Sequence, residues 1–414
     1  MRTVSKTVIG VDFGTQSARA VLVNAENGEI IYSCRKEYHY NSTPVPAIDC
    51  AENLPCATDY EMTLYELLCN VIPEEYRKTV AGICIDATSL TMVLLAEDGR
   101  ALSELDGWSE AAHARVKLWK YHRAQEKADE ALNLASNLQE PFLGRTGGSI
   151  SCEWMLPKLL EVRDEAPEIY SKIDLAMDLC EFLTFRLTGQ LVRSIGSLSY
   201  KCLWAEDLSF PERTFLNGLR AGFYEEYCHF LRGDVRKPGE CAGMLRSELT
   251  KRWGLPEQIP VATGMLDGHT SLATMGAFEP GDAALIVGTS NVCTVQNRKL
   301  QELKDVCGVA QDGMVTGSCG IDTGQSSTGN MLGWFVEHMA GWQIHREAEE
   351  RKISPHQVLA ERIQKPWENK VIAVDWWSGS RNAPCDLTLR GSMSGLEMDT
   401  KTEDIYLALL QAIA

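Results

Sequence analysis

The chain has 414 residues, 44% hydrophobic and 23% charged. That length favours two cores over one, because single cores stop growing at about 250–300 residues. Asp and Glu number 57 against 40 Lys and Arg, a net charge of −17, which argues against nonspecific binding to nucleic acid or to anionic membranes.

The N-terminus enters its first strand within a few residues, leaving no room for a secretory leader, and no run approaches the roughly 18 apolar residues of a membrane span. The fourteen cysteines are scattered, without CxxC pairs or histidines at ligand spacing, and read as reduced thiols of a cytoplasmic protein. Cys50 and Cys56, the closest pair, read as loop thiols.

In chain order, Val8 to Val11 run as a strand into Asp12, followed by Gly14, Thr15, Gln16 and Ser17. Ala18 to Val23 is a second strand, Asn24 to Gly28 a turn, and Glu29 to Ser33 a third strand. An aspartate at the tip of a buried strand, followed by a glycine hairpin, suits a metal–triphosphate. The carboxylate can hold Mg²⁺ or its waters, and Gly14 lets main-chain N–H groups approach phosphate oxygens. Asn41 to Thr58 has loop composition, and Asp59 to Ile72 has helical spacing through Met62, Leu64, Leu67, Leu68 and Val71. Thr79 to Asp86 is a strand that again ends on an aspartate, with Ala87-Thr88-Ser89 and a strand from Met92 to Ala96 after it.

The spacing predicts mostly helix over Trp108 to Leu138, with Lys117, Lys120 and Arg123 on a solvated face. Gly144 to Ser151 is a glycine–serine loop, Glu153 to Arg163 a helix with Pro157 in its first turn, and Asp174 to Thr188 a helix closed by Gly189. Ser194 to Trp204, carrying Lys201, has the composition of a polar loop. Pro260 to Ala262 is a strand leading through Gly264 to a third aspartate, Asp267, and then to a helix from Thr270 to Met275. Phe278 to Asp282 reads as a linker turn between domains 1–276 and 277–414. Beyond it, Ala283 to Val287, Gly288-Thr289-Ser290 and Asn291 to Val295 repeat the opening plan of strand, Gly-Thr hairpin and strand. A triphosphate between the two hairpins follows from that repetition.

The order and spacing of these segments resemble the FGGY carbohydrate kinases, and within them the ribulokinases. The residues that carry the likeness are Asp12-Phe13-Gly14-Thr15, Leu118 to His122, Glu153 to Lys158, Tyr200 to Trp204, Leu266-Asp267-Gly268-His269, Gly288-Thr289-Ser290, Gly324-Gln325-Ser326 and Asp375 to Arg381. The resemblance implies an α/β fold of two duplicated ribonuclease-H-like (actin/hexokinase-type) domains, the second incomplete at Ala414. It implies ATP and Mg²⁺ as cofactors and transfer of phosphate to the terminal hydroxyl of a ketopentose, L-ribulose above others, giving L-ribulose 5-phosphate. Asp267 corresponds to the general base. Asp12 corresponds to the metal residue, Gly14, Thr15, Gln16, Ser17 and Arg19 to the first phosphate loop, and Gly288, Thr289, Ser290 and Gln325 to the second nucleotide side. Ser89, Lys201, Asp267 and Asp322 fall where ribulokinases contact sugar.

His269 reads as a structural histidine bonded to backbone, and Trp119, Trp204, Trp376 and Trp377 as core. Two departures bear on the sugar: Tyr121 replaces an acidic residue, and Asp322 is one methylene shorter than the family's glutamate. A helix from Thr402, ending at Ala414, is expected to leave its apolar face without partners and to weaken ATP affinity. The alternatives are a kinase for another pentulose or polyol, or a non-catalytic sugar-binding protein of the same fold. The partners implied are a small-molecule sugar and ATP, with room for a homodimer.

Overall fold

Alternation of buried and half-buried residues along Thr7–Phe13 (β1) sends Ile9, Val11 and Phe13 into the core and leaves Asp12 on the other face. The computed structural model of the chain describes residues 6–38, 54–364, 368–381 and 386–414. The expected loop from Asn41, as far as residue 53, and Cys50 lie outside these. Strands Ser17–Asn24 (β2) and Ile30–Glu37 (β3) pair antiparallel beyond β1, and Val80–Ala87 (β4) lies parallel on its other side. Pro260–Ala262 continues the sheet parallel to β4, and Cys241–Met244 closes it antiparallel.

The β1–β4 crossover runs through the helix Ala57–Val71, whose Tyr60, Leu64, Leu67, Leu68 and Val71 are buried at three- and four-residue spacing. Met62 falls off that stripe and is exposed. Parallel pairing places Asp12 opposite Asp86 at the carboxyl ends of the two central strands. The short strand Met265–Leu266 pairs with Asp86 and Ala87 and delivers Asp267 to the same edge, as the first residue of the helix Asp267–Met275. Three aspartates far apart in sequence therefore meet because strands from one sheet end together.

Several local expectations give way to tertiary contacts. Only Gln125–Leu138 of the predicted 108–138 helix forms as an α-helix. Upstream, the Lys117 backbone is drawn into a bridge with Met92, at 2.9 and 3.1 Å. Its side chain is fully buried near Glu161, at 3.6 Å, rather than solvated. Tyr121 points the same way and donates to Glu161 Oε2 at 2.8 Å, so this departure from the family does not touch the sugar side. The segment from Asp174 splits into a strand, Leu175–Asp178, and a helix, Leu179–Thr188, because Asp178 and Glu181 form a capping box; Gly189 ends the helix at φ +71°.

Ser194 to Trp204 is not a loop throughout: Ile195–Lys201 is helical. Its Tyr200 is buried against Gly308, Gly313 and Gly320 of the second half and donates to the Gly320 carbonyl at 2.8 Å.

In the second half, Ala283–Val287 and Asn291–Asn297 form the repeated hairpin, with Cys319–Gln325 and then Gly308–Gln311 beside it, all antiparallel. The helix Thr402–Ile413 buries Tyr406 and Leu409 with Met331 and Phe335 of the helix Gly329–Met339. Its apolar face is therefore partnered, contrary to expectation. No described helix is long and apolar enough to cross a membrane.

Candidate active site

The two hairpins open on one cleft. A cavity of about 580 Å³ is lined by Asp267, Ser89, Lys201, Asp322 and His269 together with Gly288, Thr289 and Ser290. An adjoining one of about 1040 Å³ is lined by Gly14, Thr15, Gln16, Ser17 and Arg19, with Thr289 facing them. Asp12, Thr15 and Thr289 line both. Of the residues expected from sequence, Gln325 alone is turned away. Its amide accepts from Asn291 Nδ2 at 2.9 Å and donates to the Ile413 carbonyl at 3.0 Å, and it lines neither cavity.

Each hairpin is held through hydrogen bonds to its backbone. The Gly14 N–H donates to the Ser17 carbonyl at 3.1 Å, and Tyr38 Oη donates to the Gly14 carbonyl at 2.6 Å. In the second hairpin, the Gly288 carbonyl accepts from Thr328 Oγ1 at 2.9 Å and from the Gly329 N–H at 3.0 Å. A Cβ on Gly329 would meet that carbonyl oxygen at 2.5 Å, so a glycine is required for the close approach.

Asp267 is half-buried, and its Oδ1 accepts from the Gly268 N–H at 2.7 Å. Burial pushes its carboxyl up to about 6 and the charge of Asp12 adds to the rise, while the Gly268 and Ser89 N–H groups and Lys201 pull it back. Asp86, which sequence inspection noted only as a strand end, also lines the smaller cavity. Burial, then the charge of Asp12 and a hydrogen bond to it, push the Asp86 carboxyl well above the carboxylate range. Asp12 itself is 41% exposed, with Arg19 Nη1 at 3.8 Å.

The Ser89 wall is set from behind. Leu90 adopts φ +47°, a strained angle for a non-glycine residue. Its N–H donates to Asp178 Oδ2 at 3.0 Å, and its carbonyl accepts from the fully buried Lys158 at 3.0 Å.

On the opposite wall, Lys201 Nζ donates to Asp322 Oδ2 at 3.2 Å. Burial works against both charges, but the pairing prevails. Asp322 holds the Lys201 ammonium above its ordinary value, and Lys201 and His269 hold the Asp322 carboxyl well below its own. His269 is buried with Nε2 3.6 Å from Asp322 Oδ2 and Nδ1 without a partner among the described residues, so it faces the acid rather than donating to backbone.

Trp119 is not core either. It is half-buried in the cleft and donates from Nε1 to Thr15 Oγ1 at 3.1 Å. Glu153 accepts from Arg381 Nη2 at 2.9 Å, lies 3.0 Å from His122 Nε2, and lines both cavities. The motif segments contained Trp119, Glu153 and Arg381, but nothing in their local pattern pointed them inward; Asp86 had only its strand-end position to mark it.

Comparison with known proteins agrees with this architecture. Residues 7–274 match the N-terminal domain of the FGGY family of carbohydrate kinases, and residues 283–414 match its C-terminal domain. The chain is 33% identical over 420 residues to a ribulokinase of Halalkalibacterium halodurans, covering 99% of this chain and 75% of that protein. It is 35% identical over 425 residues to a ribulokinase of Mycolicibacterium smegmatis, with 99% and 74% covered. Among solved structures, a xylulose kinase from Rhodospirillum rubrum superposes with a TM-score of 0.75 at 19% identity, over 99% of this chain and 76% of that one. A gluconate kinase from Lactobacillus acidophilus gives a TM-score of 0.76 at 19% identity, over 99% and 76%. With both family domains matched in order, and with the two hairpins and Asp267 on one cleft, the chain belongs to the FGGY family of carbohydrate kinases.

Proposed function

We propose that this carbohydrate kinase moves the γ-phosphoryl group of ATP to the terminal hydroxyl of a ketopentose, with L-ribulose as substrate and L-ribulose 5-phosphate as product. The observation that carries the reading is Asp267, a half-buried carboxylate whose pKa of about 6 leaves it ionised yet basic at neutral pH, lining the smaller, sugar-end cavity together with the second hairpin. The sugar oxygen attacks the γ-phosphorus as its proton passes to Asp267, and the bond from that phosphorus to the bridging oxygen breaks, releasing ADP. Ser89, Lys201 and Asp322 orient the sugar. Gly14, Thr15, Gln16, Ser17 and Arg19 hold the phosphates from one side, and Gly288, Thr289 and Ser290 from the other.

The donor set fits Mg²⁺: Asp12 offers a hard carboxylate on the open side of the cleft, and Mg²⁺ keeps several waters rather than demanding a full protein cage. Asp12 would hold it, with Asp86 behind. When bound, the ion neutralises charge on the transferring phosphates. Asp86, hydrogen-bonded to Asp12 at the adjoining strand end, keeps that carboxylate in place.

The names of the relatives support a pentulose, while the shorter Asp322 makes the sugar range the point to test. ADP release is measured on L-ribulose, other pentuloses, hexuloses and polyols. The expected result is turnover with the highest kcat/KM on L-ribulose. A better substrate elsewhere in that panel corrects the sugar, and no turnover on any of them removes the kinase assignment.

A further inference from the structure

Transfer of a phosphoryl group carries negative charge from the hairpin end of the cleft to the sugar end, so a cation is needed where the two ends join. The other basic side chains lie to one side. Arg19, Arg35, Lys120 and Arg390 line only the hairpin-end cavity, and Lys201 lines only the sugar-end cavity and is tied to Asp322. Among the described residues that line both cavities, Arg381 is the one cation, beside the anionic Asp12 and Glu153.

Arg381 comes from the second half of the chain and docks on the first half. Its Nη2 donates to Glu153 Oε1 at 2.9 Å, and the guanidinium lies 5.1 Å from the ring centroid of Trp119. Trp119 in turn donates to Thr15 of the first hairpin. The guanidinium is thus aimed by two residues whose own positions are held, and it spends little of its donor capacity on them. Nε is buried with no hydrogen-bond partner among the described residues. An arginine so buried, with unspent donors at the junction of two ligand cavities, is arranged for an anion that the free protein does not supply.

We propose that Arg381 is a further catalytic residue, donating to the oxygens of the phosphoryl group while its bond to ADP breaks and its bond to the sugar oxygen forms. This rests on the kinase assignment above. Glu153 and Trp119 are positioning residues for it. Arg381 and Glu153 belong to different halves, so the contact between the halves sets where the cation lies.

The test is Arg381→Met and Arg381→Lys, assayed for turnover and, separately, for binding of inorganic phosphate by calorimetry. We expect R381M to lower kcat about 100-fold or more, in line with the loss of one preorganised donor or arginine. Sugar KM should stay within about threefold, R381K should recover only a small part, and added methylguanidinium should restore turnover in R381M. Phosphate should bind R381M about 10-fold more weakly than wild type. A kcat within about threefold of wild type, or a defect confined to sugar KM, overturns the proposal. Should the wild type phosphorylate no sugar, the kinase assignment is what fails; the phosphate titration still decides Arg381, and equal affinity in R381M rejects it. If R381M does not fold, R381K carries the same two measurements with the same criteria.

Discussion

Replacing Asp267 by Asn is expected to inactivate the protein and at the same time to stabilise it. The fold disfavours the ionised carboxylate: burial and Asp12 raise its pKa from 3.8 to about 6. At about 1.4 kcal/mol per unit, keeping that carboxylate ionised at pH 8 costs the folded state about 2–3 kcal/mol. The sign follows from proton binding. Between about pH 4 and 6 the folded state holds the proton more tightly than the unfolded chain, so the site's contribution to stability is present below that window and lost as pH rises through 6. Asparagine does not titrate, and its carbonyl can still accept the Gly268 N–H now bonded at 2.7 Å. Urea unfolding of wild type and D267N between pH 5 and 8 should therefore show a gap of about 2–3 kcal/mol at pH 8 that narrows toward pH 5. The accompanying loss of kcat should span several orders of magnitude, with sugar still bound. Equal or lower stability of D267N at pH 8, or a gap that widens toward acid, would refute the reasoning.

Two further outcomes follow from the same coordinates. The acid limb of kcat against pH should fall near 6, and Lys201→Met should move it upward, because Lys201 is one of the groups holding the Asp267 carboxyl down; a limb that stays put or moves down counts against Asp267 as the base. Gly147 has φ +68°, and a Cβ there would meet the Val306 carbonyl oxygen at 2.0 Å, where the 144–147 loop docks on residues 303–306. Gly147→Ala should therefore cost about 2 kcal/mol or more in thermal or urea unfolding, and an unchanged midpoint would show that the seam yields without strain.

Much of the cleft lining was legible in the chain. Asp12 and Asp267 end strands, Gly14 and Gly288 open hairpins, and each of these signals is local: a run of apolar residues, an acid, a small residue. Lys117, Tyr121 and Trp119 were not legible, because the helical spacing read across their segment is overridden by tertiary contacts. That segment is extended or turned where Met92, Glu161 and Thr15 happen to take its hydrogen bonds. The helix Ile195–Lys201 reads as loop for the same reason: its ordering partner is a row of glycines in the other half, which give Tyr200 room.

Sequence by itself marked out the strand-end acids and glycine hairpins that reach the cleft, since strand ends, glycine turns and their repetition are properties of a few neighbouring positions. Tertiary structure alone decided which of them act together. Asp86 faces Asp12 because β1 and β4 are parallel and in register, Gln325 turns from the cleft because Asn291 and the Ile413 carbonyl take its amide, and Arg381 reaches the cleft only by docking on Glu153. Those placements depend on contacts between residues up to 228 positions apart, and a hydrogen bond across such a distance leaves no pattern in the residues beside it.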